Sequence, residues 1–475
     1  MFDIREATIA SIQNAFASGE LTSLELTMQY LSRIADIDQS GRCINSVLEI
    51  NPDALDIAEA LDREYAQKGP RGPLHGIPVL IKDNINTHDK MHTSAGSLAL
   101  ADNYAAYDAH IAARLREAGA VILGKTNLTE FANFLTRGMR NGFSSRGGCV
   151  LNPYGDTLDV GGSSSGSGAA VSANFCTVAV GTETSGSILC PANWNGVVGV
   201  KPTKGLVSRT GIIPICTAQD TAGPLARTVE DAAALLTVLQ GTDPEDPATG
   251  SITPYLKDYT KFLRKDGLQG MRVGVSHVGS ERFPQEHRDL LPAALQALQD
   301  AGAELIEVEL PNCDREKTMD VLLYEFKQCL NAYLASCKDP GARTLLDVID
   351  FNNADPQRCL QYGQAIALEA QHQTSGRLTD PRYLHSRVDA LRSSRALVDG
   401  LIAQHNLDCI VQLGWGNIPP ASGYPAVNVP IGVGAETGHP IGLSFIGPAF
   451  SEPVLFRAAY AFEQQLQGRV PPTVD

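Results

Sequence analysis

The chain has 475 residues, 43% hydrophobic and 19% charged, the make-up of an ordinary globular protein. Its formal net charge of −15 weighs against nucleic acid and anionic membrane surfaces as partners. No stretch approaches the roughly 18 apolar residues of a spanning helix, and the opening Met1-Phe2-Asp3-Ile4-Arg5-Glu6 has no leader-like pattern, so a cytoplasmic protein is expected.

In chain order, residues 1–69 read as helical. Thr22-Ser23 with Glu25 opens an amphipathic run through Ile37, and Asn51-Pro52-Asp53 opens a second helix that ends near Gly69. From 73 to 200 strand and helix patterns alternate, with strands expected at 77–81, 120–124 and 176–180 and helices at 108–118, 128–134 and 166–174. A helix at 229–240 leads into a polar linker at 241–254. The pattern restarts with a strand at 271–275, a helix at 285–301 and a strand at 305–308. A long helical block over 315–405 follows, then strands at 408–413, 426–429 and 441–445 and a closing helix at 452–467. Ten cysteines without a C-x-x-C pair read as reduced thiols, and neither they nor the histidines have a metal-ligand spacing; His88 and His92 read as loop residues, and no metal or cofactor is expected.

Two loops rich in glycine and hydroxyl groups bracket the 166–180 unit. The first, Gly161-Gly162-Ser163-Ser164-Ser165-Gly166, contains a G-x-S-x-G pattern, but the residues before it, Asn152-Pro153-Tyr154-Gly155-Asp156, form turns where an α/β-hydrolase elbow wants a strand. A phosphate-binding P-loop is the second reading, and no Gly-Lys-Ser/Thr closes it. The third is a serine nucleophile served by a base other than histidine. The run Gly76-Ile77-Pro78-Val79-Leu80-Ile81-Lys82-Asp83-Asn84-Ile85 supplies a candidate, because a lysine reached through an apolar strand is desolvated and burial disfavours its ammonium form. Against that stands a lysine reaching to solvent from a strand end.

These runs, with GTETSGSI at 181–188 and Gly199-Val200-Lys201-Pro202-Thr203, resemble the amidase signature family in order and spacing. Ser163 and Ser187 stand 24 positions apart, as the two serines do in that family. The resemblance extends through 205–209, 211–214 and 220–233, and the stretches at 93–100 and 124–130 look most like its bacterial peptide amidases. It implies an α/β fold with a large mixed central sheet covered by helices on both faces. It also implies a single domain: an N-terminal helical layer (1–69), a signature core (70–240) and a part that shapes the substrate pocket and completes the sheet (255–475).

For chemistry, the resemblance implies an amidase, with Ser187 as nucleophile, Ser163, held through a cis Gly162–Ser163 peptide, relaying the proton, and Lys82 as the ultimate base. The main-chain N–H groups of Thr184, Ser185, Gly186 and Ser187 would form the oxyanion hole. Ser164 is expected to support the Lys82 site and Asp83 to cap a turn; Ser165, Ser167 and Thr182 are read as structural, and Trp194 and Trp415 as core or pocket wall. The substrate expected is a C-terminal peptide amide or similar small carboxamide. The alternatives are an aryl or aliphatic amidase, an amide-forming acyltransferase, one component of an amidotransferase, and a non-catalytic relative. Three departures bear on specificity: Ser185 stands where peptide amidases carry aspartate, Cys190 falls near where many members place arginine, and 412–424 is shorter than its peptide-amidase counterpart.

Overall fold

A computed structural model describes residues 2–251, 258–338 and 341–474. One sheet of 11 strands runs through it. In chain order the strands are β1 (Val47–Ile50), β2 (Pro78–Lys82), β3 (Val121–Thr126), β4 (Val178–Glu183), β5 (Val198–Lys201) and β6 (Thr221–Ala226). They continue with β7 (Arg272–Ser276), β8 (Glu304–Val308), β9 (Cys409–Leu413), β10 (Ala426–Val433) and β11 (Pro440–Ile446). Their order across the sheet is β1-β3-β2-β4-β6-β5-β10-β11-β9-β7-β8. β3, β2 and β4 run parallel, as do β9, β7 and β8, and the pairs between these groups are antiparallel. This is the large mixed sheet that the resemblance implies, flanked by helices.

Strands β2, β3 and β4 are buried along their whole length, which explains why β2 reads as a continuous apolar run rather than an alternating one. Beside them the first helices pack as expected. Thr22 accepts from the Glu25 N–H at 3.1 Å while the Glu25 carboxylate accepts from the Thr22 N–H at 2.9 Å, a reciprocal cap on helix Ser23–Arg33. The Asp62 carboxylate, in the middle of helix Ala54–Lys68, accepts from the N–H groups of Ser23 and Leu24, so the start of the first helix is tied to the second. No helix among the described residues is long and apolar enough to cross a membrane.

Several expectations need correction. Residues 128–134 make no regular helix: Phe131, Ala132 and Asn133 have φ of 47°, 55° and 67°, a left-handed run that breaks the ladder. Tertiary hydrogen bonds hold it, with Thr129 N–H on the Ser163 carbonyl and Phe131 N–H on the Ala95 carbonyl, both at 3.0 Å. The helix expected at 285–301 is split into Gln285–Arg288 and Leu291–Asp300, because Pro292 has no N–H to continue the first turn and fits the start of the second. The helical block divides chiefly into Arg315–Ser336, Leu345–Ala354, Ala365–His372 and Pro381–His405. Of the linker expected at 241–254, residues 247–251 form a 3₁₀ turn and 252–254 lie outside the described residues.

Three strands carry no clear signal in the sequence. β1 sits inside the segment that reads as helical and pairs antiparallel with β3. β5 coincides with the motif at 199–203, which has no strand-like pattern of its own. β6 contains Gly223 and Pro224, which ordinarily argue against a central strand. Of β6, only Leu225 and Ala226 pair with β5, so the ladder on that side ends before Pro224.

Helix Ser165–Ser172 crosses behind the parallel strands with every residue buried. Its small side chains are a packing requirement: a Cβ on Gly166 would collide with the carbonyl oxygens of Ser46 and Asn127. Gly166→Ala is expected to destabilise the protein by about 1–3 kcal/mol or more, the usual range for an overpacked core. Urea unfolding checks this, and a stability equal to the native protein's would contradict the packing described.

Candidate active site

Lys82 is the last residue of β2, and Thr182 lies near the end of the neighbouring parallel strand β4. The carboxyl ends of adjacent parallel strands are where an open α/β sheet gathers functional groups. The Lys82 side chain is wholly buried and turns its amine toward hydroxyls: Nζ donates to Ser163 Oγ at 2.8 Å, to Thr182 Oγ1 at 2.9 Å and to the Thr182 carbonyl at 3.4 Å. Burial is the main cause that lowers its pKa from the ordinary lysine value to about 7, with the negative charges of Asp220 and Glu183 opposing the shift.

Two other lysines, Lys125 and Lys201, are equally buried and are lowered by burial to about 8. Their surroundings differ. Lys125 donates to the Ile85 carbonyl at 2.7 Å and to Thr93 Oγ1 at 2.9 Å, and Lys201 to the Pro202 carbonyl at 2.9 Å. Of the three, Lys82 alone hydrogen-bonds a hydroxyl of the two serine-rich loops.

Ser163 follows the Gly162–Ser163 peptide, which is cis, as the resemblance implies. Ser164 ties the first loop to the strand: its Oγ donates to the Thr182 carbonyl at 3.0 Å and accepts from the Thr182 N–H at 3.2 Å. That approach needs the glycine at 181, where a Cβ would lie 2.8 Å from Ser164 Oγ. The second loop is joined to the first through the Ser164 N–H, which donates to the Ser187 carbonyl at 3.2 Å. Ser187 is 7% exposed and its hydroxyl hydrogen-bonds to no described residue. The main-chain N–H groups of Thr184, Ser185 and Ser187 likewise bond to no described acceptor.

Two buried carboxyl groups shape this loop, and neither stands out in the sequence. Glu183 accepts from the N–H groups of Ile188 at 2.8 Å and Leu189 at 3.0 Å. Burial raises its pKa, while Lys201 and the N–H groups of Leu189, Ile188 and Gly186 pull it down; the Gly186 N–H therefore faces this carboxyl as well as the loop. Asp220 accepts from Thr184 Oγ1 at 2.5 Å and from the N–H groups of Ile215 and Cys216 at 2.9 Å, and burial raises its pKa to about 6 against those hydrogen bonds.

Asp83 does not touch Lys82. Its carboxylate takes the Ser94 hydroxyl and the Gly96 N–H and lies 3.6 Å from Arg146, so it organises the 94–96 turn. Ser165 donates to the Gly161 carbonyl at 2.5 Å and Ser167 pairs with Thr126 at 2.7 Å, both structural contacts. Thr182 is a correction: it reads as structural, yet it is a direct partner of the lysine, with Asn84 Nδ2 donating to the same Oγ1 at 3.0 Å. Trp194 packs edge-on against Trp415 and stacks on His439 at 4.2 Å, and Trp415 lies over Gly186. Among the described residues no group of three or more His, Cys, Asp or Glu side chains could hold a metal ion, and all ten cysteines are free.

The 184–187 loop separates two cavities. One, of about 680 Å³, includes Asn84, Thr182, Thr184 and Asp220 in its wall. The other, of about 440 Å³, includes Ser185 and Trp415.

The Amidase family description matches residues 25–456. The chain belongs to this family. It is 46% identical to the native peptide amidase of Stenotrophomonas maltophilia, whose structure superposes with a TM-score of 0.95 over 99% of each chain. A probable amidase of Arabidopsis thaliana is 41% identical over 99% of this chain and 92% of its own length. A component of the glutamyl-tRNA(Gln) amidotransferase of Halorhodospira halophila is 34% identical over 97% of each. The protein is thus an amidase, a hydrolase of amide C–N bonds.

Thr182→Val keeps the shape of the side chain and removes the hydroxyl that Lys82 and Asn84 share. Losing a buried hydrogen bond to a charged group costs about 1.5–3 kcal/mol. The expected result is a fall in kcat of roughly tenfold to a hundredfold with KM little changed; steady-state kinetics with unchanged kcat would leave Thr182 a structural residue.

Proposed function

We propose that this amidase removes ammonia from C-terminal peptide amides through an acyl-serine intermediate on Ser187. The observation that carries the mechanism is the 2.8 Å contact between Lys82 Nζ and Ser163 Oγ in a fully buried setting. A lysine with a pKa of about 7 is substantially neutral near pH 7 and can accept a proton.

Neutral Lys82 accepts the Ser163 proton as Ser163 accepts that of Ser187. Ser187 Oγ attacks the amide carbonyl carbon, and the N–H groups of Thr184, Ser185, Gly186 and Ser187 stabilise the oxyanion, Gly186 sharing its N–H with Glu183. Ser163 then returns a proton to the nitrogen, ammonia leaves, and water attacks the ester to restore Ser187. A hydroxyl suits the relay because it both donates and accepts. Asp83 supports the neighbouring turn, and Ser164 aligns Ser163 with β4. The single sheet spanning all 11 strands supports one catalytic domain. The similarity to the Stenotrophomonas maltophilia peptide amidase supports the peptide-amide substrate.

Ammonia release is measured from N-protected dipeptide amides, aliphatic amides, aryl acetamides and free glutamine, with the native protein and Ser187→Ala. Turnover of the peptide amides alone, lost in the variant, is expected. Turnover of other amides instead would move the substrate class, and activity surviving in Ser187→Ala would overturn the nucleophile.

The base makes a separate prediction. Because Lys82 must be neutral, kcat/KM rises with pH through a limb near 7. The Asp220 charge raises the Lys82 pKa, so Asp220→Asn lowers it and moves that limb to lower pH. A limb that stays in place or moves upward would separate Asp220 from the titrating base.

A further inference from the structure

The cavity of about 440 Å³ beside the oxyanion loop is lined with unpaired positive charge. Ser185 and Trp415 form its inner wall, and Arg282, Arg315 and Met319 stand around it. Trp415 lies directly against the loop that carries Ser187: a Cβ on Gly186 would be 3.0 Å from Trp415 Cδ1.

Arg282 is held in a fixed plane. Its guanidinium carbon lies 4.6 Å from the Trp415 ring centroid and 4.7 Å from that of Phe283, and the guanidinium donates to the Trp415 carbonyl. Stacking of this kind orients the planar fork while leaving its other N–H groups free to donate. Arg315 is the first residue of helix Arg315–Ser336 and is exposed at the mouth. Neither arginine forms an ion pair with a described carboxylate, although most arginines of this chain do. Burial pulls the Arg282 pKa below its usual value, Cys190 and the Glu281 charge raise it, and the charge of Arg315 adds a smaller downward pull, so the two cations act on each other across one space. The one acidic side chain in the described wall is Glu281, which is exposed and within ion-pair distance of neither guanidinium.

We infer that this cleft is an anion subsite, in which Arg282 and Arg315 receive a carboxylate carried by the acyl part of the substrate. The inference rests on the peptide-amide reading. With ammonia as the leaving group, almost nothing lies on the nitrogen side of the bond, so whatever fills a cleft of this size belongs to the acyl side. A guanidinium already fixed by stacking pairs with a carboxylate in two parallel hydrogen bonds at little cost in side-chain freedom. The mutual repulsion of the two cations is relieved when the anion arrives. The chain as a whole carries −15, so this pair stands out locally against the overall field, which salt screens beyond about 8–10 Å.

The test compares N-acetyl dipeptide amides that carry Glu, Gln or Lys, in turn, at the amide-bearing residue and at the one before it. At one of the two positions the native protein is expected to turn over the Glu substrate at least tenfold better in kcat/KM than its Gln isostere, with the Lys substrate the poorest. In Arg282→Gln, Arg315→Gln and the double variant, the Glu-to-Gln ratio falls toward one, the double variant losing it fully. A ratio near one in the native protein, or a preference that survives in the double variant, overturns the subsite.

Binding without turnover keeps the test independent of the chemistry. Calorimetric titration with N-acetyl-glutamate is expected to show binding to the native protein that the double variant loses, and to Ser187→Ala with unchanged affinity. Equal binding of N-acetyl-glutamate and of N-acetyl-glutamine N-methylamide, which carries no carboxylate, would also overturn the subsite. If neutral peptide amides turn over with Ser187 and no Glu preference appears, this inference alone fails. If no peptide amide turns over while N-acetyl-glutamate still binds through the two arginines, the peptide-amide reading fails and the anion site stands.

Discussion

An amine held away from water among hydroxyl groups is the constraint around which this protein is built. Lys82 is wholly buried at the end of a central strand, and burial alone would make a charged lysine there costly. Three acceptors, Ser163, the Thr182 hydroxyl and the Thr182 carbonyl, meet its donors, while desolvation brings its proton affinity close to neutrality. The same physics acts on Lys125 and Lys201, and both are lowered nearly as far. What sets Lys82 apart is therefore its partner rather than its pKa: it meets Ser163, while the other two meet backbone carbonyls and a threonine outside the serine loops.

Bringing that partner into place explains much of the small-residue composition around the site. Helix Ser165–Ser172 can lie against the carbonyls of Ser46 and Asn127 only where Gly166 has no side chain, and Ser164 can reach β4 only because residue 181 is glycine. On the other side, Glu183 and Asp220 grip the loop that holds Ser187, the first through main-chain N–H groups beyond it and the second through Thr184. The loop's remaining N–H groups are then left pointing away from internal acceptors, which is what stabilising a developing oxyanion requires. Rigid carboxylate anchors and free N–H donors are two aspects of one arrangement.

In the mechanism proposed above, chemistry and specificity occupy largely different parts of the chain. The lysine, the serines and their supports lie between residues 82 and 220, on strands and loops of the sheet's centre. Apart from Ser185, the cleft beside Trp415 is built from residues after 278, on a turn, a helix start and the loop after β9. Helix Arg315–Ser336 also reaches the larger cavity, where Cys329 and Ala332 share the wall with Thr182 and Asp220. Ser185, one of the departures noted in the sequence, lines that cleft.

Family, fold class and the residues at the centre of the site are legible in the amino-acid order alone. An apolar run ending in Lys82, glycines beside Ser163 and Ser187, and a fixed 24-residue spacing are local features, and local features survive in one dimension. The first helices are legible for the same reason, since Thr22 and Glu25 cap each other over three positions. Other features depend on contacts between distant segments. The 128–134 stretch has a helical composition, yet Ala95 and Ser163 hold its backbone left-handed, and β6 forms through its breakers because β4 pairs along its whole length. Thr182 becomes a lysine partner, and Asp220 an anchor for Thr184, only when residues 36 to 100 positions apart are brought within hydrogen-bond reach. Such roles are assigned by folding, because a buried polar group takes its part from whichever partner the fold sets opposite it.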